Sequence, residues 1–296
     1  MLSDTEYLKL DYSALEVIGP DSASYLQGQL SQDIKSMNLG DTAKSLLLAP
    51  TGKIIAICLV GRISSDHFLL LMEDAATTAV EQRLRKYLIR TKAELSMVKA
   101  GVYLGNREPL DALYGIGFTH LFSASNGKIY LSGAEPSEMA VGEREAHLKR
   151  SLEVERIRAN FPGFNSELSL GIFAGALGEA LDGFVSFQKG CYVGQELVER
   201  MQSRSTAAPI SLKVVLVEPT NGGDLTEIVG RKVTIQLHSK GLQVGEVTSF
   251  AMSEEGHGVA IAAIKRSSAG SDIFDLLVSE ESGNSRIVGR ASIGAS

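Results

Sequence analysis

The segment Phe187-Gln188-Lys189-Gly190-Cys191-Tyr192-Val193-Gly194-Gln195-Glu196 holds the densest set of chemically capable residues in the sequence. Two glycines bracket a Cys-Tyr pair, and glycine lets a backbone turn sharply and approach a ligand closely. Gln195 to Gln202 consists of good helix formers, which sets Gly194 near a helix N-terminus. Backbone N–H groups there, together with Lys189, favour a thiolate at Cys191. Local chemistry leaves two readings open: a reactive thiol in an electropositive, partly open turn, or a small buried hydrophobe in a glycine-rich one. Other constellations are thinner. Gly115-Ile116-Gly117 lacks the third glycine and the βαβ setting of a dinucleotide fingerprint. His67, His120, His147, His238 and His257 show no metal-ligand spacing, and Cys58 lies in an apolar run.

These residues need elements to hold them. Gly19-Pro20-Asp21 breaks an alternating stretch, and Asp21 is placed to cap a helix carrying Leu26, Leu30 and Ile34 on one face. Ser45 to Ala49 and Lys53 to Val60 are apolar runs joined by Pro50-Thr51-Gly52, a hairpin pattern. His67 to Met72 reads as a third strand. A helix capped by Asp74 follows, with Val80, Leu84, Tyr87 and Leu88 on its inner face. Arg83, Arg85, Lys86 and Arg90 then fall on a solvated outer face. Ser137 to Asn160 is charge-rich and helical, and Pro162-Gly163 stops it. Beyond Pro209 short strand-like runs alternate with turns such as Asn221-Gly222-Gly223, the pattern of a small β-barrel or sandwich. The expected division is 1–208, with two α+β subdomains and one of them around 45–105, followed by a β-barrel over 209–296.

Composition narrows the function classes. The chain has 296 residues, 44% hydrophobic and 22% charged, with a net charge of −6. That is the balance of a folded globular protein, and it argues against a general polyanion-binding surface. Direct nucleic-acid binding is therefore expected to be weak. Two cysteines build no disulfide framework and fit a reducing compartment. No apolar run is long enough to cross a bilayer, and the first residues have no signal-peptide pattern. The expected location is cytoplasmic, with no membrane partner.

Lys189-Gly190-Cys191-Tyr192-x-Gly194-Gln195-Glu196 resembles the signature of the YgfZ folate-binding proteins, relatives of the glycine-cleavage T-protein in the GcvT superfamily. Four more segments fall in the family's order. Tyr25-Leu26-Gln27-Gly28-Gln29-Leu30-Ser31-Gln32-Asp33 is similar to its first helix, and Pro50-Thr51-Gly52-Lys53 to its hairpin. Arg156-Ile157-Arg158-Ala159-Asn160-Phe161-Pro162 and Gly245-Glu246-Val247-Thr248-Ser249 complete the set. The resemblance covers nearly the whole chain. It implies an α+β fold, a GcvT-like three-subdomain ring with a C-terminal β-barrel, and tetrahydrofolate, or another folate, bound in a central channel. It also implies support of iron–sulfur enzymes or assembly proteins as clients, and through them of tRNA modification.

The resemblance further implies a site. Cys191 would be the catalytic thiol, with its segment at the channel mouth. The glutamate that reads the pterin in relatives falls at Glu179, offset by one residue. Lys189, Gly190, Tyr192, Gln195 and Glu196 would bind the cofactor, with Tyr192 or Phe187 as an aromatic wall and Arg200 or Arg204 for the glutamate tail. By local spacing alone, Glu196 and Arg200 read as a solvated helical ion pair. There are departures from the family. T-proteins need an acid after the hairpin glycines, where Ala56 and Ile57 stand here; Ser205 and Asn160 each replace a glycine. Whether the chain is an enzyme stays open. A folate-dependent one-carbon transfer enzyme, aminomethyltransferase- or demethylase-like, and a non-catalytic folate-binding module are the alternatives. Two cysteines alone do not supply the usual ligands of an iron–sulfur cluster.

Overall fold

The computed structural model describes residues 2–119, 127–203, 208–220, 224–228, 234–268, 272–279 and 285–293. In chain order the N-terminal elements are β1 (Tyr7–Lys9), β2 (Tyr12–Ile18), α1 (Ser22–Gln29), β3 (Thr42–Leu48), β4 (Ile54–Arg62), β5 (His67–Glu73), α2 (Thr77–Lys86), β6 (Glu94–Met97), β7 (Gly101–Gly105), β8 (Phe118–Thr119) and β9 (Lys128–Ser132). α3 (Gly142–Arg158) and α4 (Gln195–Gln202) follow. The chain ends in β10 (Ile210–Pro219), β11 (Thr234–Ser239), β12 (Leu242–Met252), β13 (Gly258–Lys265), β14 (Ile273–Ser279) and β15 (Ser285–Ile293). Three β units result: a five-stranded sheet β3-β4-β5-β2-β6, a four-stranded sheet β1-β7-β9-β8, and a closed barrel β10-β13-β12-β11-β14-β15.

The five-stranded sheet is buried on both faces. Along β5, Phe68, Leu70 and Met72 pack into the core beneath α1 and α2, while Leu69 and Leu71 face a second core. Successive strand residues point to opposite faces, so a strand covered on both sides reads as a continuous apolar run. The second core takes in Val102, Leu104, Phe118, Ile129 and Leu131 of the four-stranded sheet, Leu148, Val154 and Ile157 of α3, and Leu212, Val259 and Ile261 of the barrel. One apolar core therefore joins all three units. The sheets meet closely at Gly61, where a Cβ would lie 2.7 Å from the Phe118 ring. The barrel has its own interior, including Val215, Leu237, Ala260, Phe274 and Leu276.

Two elements differ from the sequence reading. α1 ends at Gln29, although Leu30 and Ile34 are as buried as a continued helix would make them. Leu30 is extended, and the carbonyls of Gln27, Leu30 and Gln32 are taken by the Lys189 ammonium instead of by further helical N–H groups. Asp21 does not cap α1 through its side chain, because its carboxylate accepts the Lys92 N–H at 2.8 Å. On α2, Arg83 is not solvated. It is 8% exposed, stacked 4.0 Å from the Tyr87 ring centroid, and donates to Leu48 O and Gln29 Oε1. No helix among the described residues is long and apolar enough to cross a membrane.

Candidate functional site

The five motif segments assemble into two separate places. The first surrounds Cys191. Its loop leads into α4 through Gly194, whose φ of +87° lies in the left-handed region. A Cβ there would stand 2.7 Å from Ala49 O and 2.9 Å from Leu48 Cβ, so only glycine lets the loop lie on the end of the β3–β4 hairpin. The hairpin returns the contact, since a Cβ on Gly52 would meet Leu197 of α4 at 2.7 Å. Val193 N–H donates to Gly28 O at 3.1 Å, and Ser186 N–H to Ser31 O at 3.0 Å. The α1 segment, the hairpin turn and the cysteine loop thus form one framework.

Within it, most of the residues expected to bind a ligand bond to other groups of the protein. Lys189 is buried; its ammonium donates to Gln27 O, Leu30 O and Gln32 O at 2.6, 2.6 and 2.9 Å, which uses all three N–H donors. Burial lowers its pKa to about 8. Tyr192 is buried with its ring centroid 4.9 Å from that ammonium, and burial raises its phenol to about 12. Gln195 accepts the Tyr192 N–H through Oε1 and donates to Glu199. Glu196 pairs with Arg200 one turn on, both largely exposed. Gly190 is exposed and has open space around it, and Glu179 is exposed on a short 3-10 segment. Arg204 and Ser205 lie outside the described residues, as do His120 and the Asn221-Gly222-Gly223 turn.

Cys191 itself is exposed, whereas Cys58 is wholly buried in β4 and burial pushes its thiol up to about 12. Native alkylation at neutral pH, followed by mass spectrometry, should modify Cys191 at least about tenfold faster than Cys58, since the thiolate is the nucleophile and must be reached. Equal, slow labelling of both until the protein unfolds would rule out an available thiol.

The second place is a cavity of about 540 Å³ at the junction of the three β units. Lys9 to Tyr12 and Glu73 line it from the two sheets, Lys149, Leu152, Glu153 and Arg156 from α3, Gly163, Asn165 and Ser166 from the following turn, and Thr248 and Ser249 from the barrel. Beneath it lies Glu167, 0% exposed. One of its oxygens accepts from Thr248 at 2.5 Å and Ser249 at 2.7 Å; the other accepts from Gly163 N–H, Ser166 and Arg156 at 2.8, 2.6 and 3.3 Å. Burial alone would raise its pKa, but Arg156 and the hydroxyls outweigh burial and hold it below the ordinary value. Arg156 is also paired with Glu153 at 2.6 Å and donates to Ser249 at 2.7 Å.

Glu73 differs from Glu167. Among the described residues both its oxygens accept only the Phe164 N–H, at 3.1 and 3.2 Å, and burial outweighs that bond and Arg156 to raise its pKa. A carboxylate has about four acceptor positions, so Glu73 keeps capacity facing the cavity. Burial and the Glu73 charge push the phenol of its neighbour Tyr12 above its ordinary range.

No family model matches the sequence. A tRNA-modifying protein YgfZ of Colwellia psychrerythraea is 23% identical over 295 residues, covering 89% of this chain and 86% of that one. Its counterpart in Edwardsiella ictaluri is 27% identical over 218 residues, 66% of each chain. An uncharacterized protein of Haemophilus influenzae is 26% identical over 244 residues, 80% and 81% of the two chains. The crystal structure of the glycine cleavage system aminomethyltransferase T from Bartonella henselae superposes with a TM-score of 0.66 over 98% of this chain and 85% of its own, at 12% identity. The chain is similar in sequence to YgfZ proteins and shares the fold of that aminomethyltransferase.

This chain, which shares that aminomethyltransferase's fold, has mixed helices and sheets that end in a closed six-stranded barrel. None of Glu179, Lys189, Gly190, Cys191, Tyr192, Gln195, Glu196 and Arg200 is among the residues lining the cavity at the junction. The signature segment builds the cysteine framework. The Arg156 and Thr248-Ser249 segments build the cavity floor, joined by Glu167. Sequence reasoning quoted both segments without giving them a role, and it missed Glu73 and Glu167. For Glu167 a signal existed: a carboxylate five residues past a Pro-Gly helix stop that already carried a family match.

Proposed function

We propose that this chain is a tetrahydrofolate-binding factor of the YgfZ type that supports iron–sulfur enzymes and thereby tRNA modification. The observation that carries the reading is the cavity at the three-unit junction, with a desolvated carboxylate, Glu73, that has spare acceptor positions. Its volume suits a small-molecule ligand. A pterin presents adjacent N–H donors, and a carboxylate accepts such a pair with about twice the strength of neutral hydrogen bonds. Glu73 would hold the pterin, Tyr12 and Leu152 would cover its rings, and Lys9 and Lys149 would attract the anionic tail. Glu167, saturated by its own partners, positions Arg156 rather than touching the ligand. When bound, tetrahydrofolate supplies nitrogens that carry one-carbon units. Any iron–sulfur cluster belongs to client proteins, since Cys58 is buried in β4 and leaves Cys191 as the one exposed thiol.

Deleting the gene should lower the activity of 4Fe–4S enzymes, and a Cys191→Ala copy should fail to restore it. Full rescue by that variant would remove the thiol from the mechanism. A one-carbon transfer reaction is the second reading, because Glu73 offers a proton-transfer group that Ala56 and Ile57 do not. Steady turnover of a methylamine with tetrahydrofolate would select it.

A further inference from the structure

We infer that a second cavity, on the far side of α3, binds a small zwitterion with an apolar body: an amino acid or a short peptide with free termini. The cavity has a volume of about 560 Å³ and shares no lining residue with the one at the junction. The helical period sets Arg150, Val154, Glu155 and Arg158, which line it, opposite Lys149, Leu152, Glu153 and Arg156, which line the other. Across from α3 it is closed by Met252, Glu254 and Glu255, at the turn from β12 to β13. That turn is tightly bonded. Ser253 N–H donates to His257 O at 2.8 Å, Gly256 N–H donates to Ser253 O at 3.0 Å, and the buried Ser253 hydroxyl accepts the His257 N–H at 3.2 Å.

Charges of both signs line this space without pairing with one another. Glu254 is held, 3.5 Å from His147 and accepting from Ser151 at 3.5 Å. Arg150, Arg158, Glu155 and Glu255 make no side-chain hydrogen bond or ion pair among the described residues. Arg158 follows Glu155 by three residues, a spacing at which such pairs close readily, yet it acts on Glu155 only from beyond ion-pair distance. One Glu155 carboxylate oxygen is buried with no donor, and burial outweighs Arg158 to raise the pKa of the group. A buried acceptor without a donor is costly, so this oxygen marks a missing N–H. Free guanidiniums take carboxylates in paired fashion. A ligand of one sign would satisfy one set of these groups and be repelled by the other. One with both signs satisfies each: its carboxylate on Arg158, its ammonium on Glu155, and its side chain on Val154 and Met252. Arg150 stands eight residues before Arg158, about 12 Å along the helix, and would be reached by the far end of a peptide.

The test uses the full chain and no folate, so it is decided apart from the function proposed above. Isothermal titration measures binding of L-leucine and of L-leucyl-L-leucine, each beside its N-acetylated and its C-terminally amidated form. At least one zwitterion should bind saturably with a Kd below about 1 mM, and blocking either end should weaken it roughly tenfold or more. Arg158→Met should weaken the zwitterion while leaving the amidated form unchanged. Glu155→Gln should weaken the zwitterion while leaving the N-acetylated form unchanged. A merely damaged fold would weaken all forms alike, so each loss must match the blocked end. An effect of Arg150→Met on the dipeptide alone assigns the site to peptides; tighter binding of leucine, indifferent to Arg150→Met, assigns it to free amino acids. No saturable binding of either zwitterion up to about 10 mM overturns the proposal, as do blocked forms that bind as well as free ones. Arg150 and Arg158 are exposed, so their variants keep the fold. If Glu155→Gln does not fold, the blocked ligands on the unaltered chain decide.

Discussion

Replacing Glu167 by alanine should destabilise the protein by about 3–5 kcal/mol, the cost of removing one partner of a buried ion pair and leaving several buried donors without their acceptor. The carboxylate is wholly buried, and its loss leaves Arg156 with Glu153 as its remaining carboxylate partner and takes the shared acceptor from the hydroxyls of Ser166, Thr248 and Ser249 and from the Gly163 N–H. Because these groups come from α3, its following turn and barrel strand β12, the damage falls on the contact between barrel and sheets. A Tm fall of roughly 10 °C is expected by calorimetry or circular dichroism. Arg156→Met combined with Glu167→Met should recover a good part of it, since apolar replacement of a buried pair removes the desolvation cost. The pH dependence has a definite sign. The Glu167 pKa is depressed in the fold, so its stabilisation is present above the unfolded value near 4.3 and is lost as pH falls through the folded value. The Glu167→Ala protein should therefore lose less stability than the parent on acidification. A Tm within about 2 °C of the parent would show that the network carries little.

The second large effect is on ligand binding at Glu73. Glu73→Ala should weaken tetrahydrofolate binding about 10- to 100-fold, the worth of hydrogen bonds to a charged acceptor. Glu73→Gln retains an oxygen for the Phe164 N–H but turns amide donors towards the pterin's own donors, so it should bind nearly as poorly. Glu179→Gln, altering an exposed carboxylate away from the cavity lining, should bind like the parent. Isothermal titration measures all three. Burial raises the Glu73 pKa, so its charged form is lost at a higher pH than an ordinary glutamate's. Binding should weaken correspondingly early on acidification. Unchanged affinity in Glu73→Gln would mean that another group reads the pterin.

What the sequence determined by itself is local and periodic. The β3–β4 hairpin follows from two apolar runs around Pro50-Thr51-Gly52, and the barrel strands from short runs between turns. The glycine bracketing of Cys191 marked a sharp turn before a helix, and Gly194 makes it. Such features depend on neighbours in the chain, so residue types suffice. Contacts between distant segments were decided only by tertiary structure. Lys189 is two residues from Cys191 in sequence, yet it ends α1 by taking carbonyls more than 150 residues away. Arg83 sits in a helix whose periodicity marks it as solvated, and it is buried because Tyr87, Gln29 and Leu48 close over it. Glu73 ends a strand, a position that carries no local sign of a site, and Glu167 lies in a turn marked only by the Pro162-Gly163 helix stop before it. They matter because packing three β units on one apolar core brings both carboxylates to the junction, where desolvation and a single arginine set their charges in opposite directions.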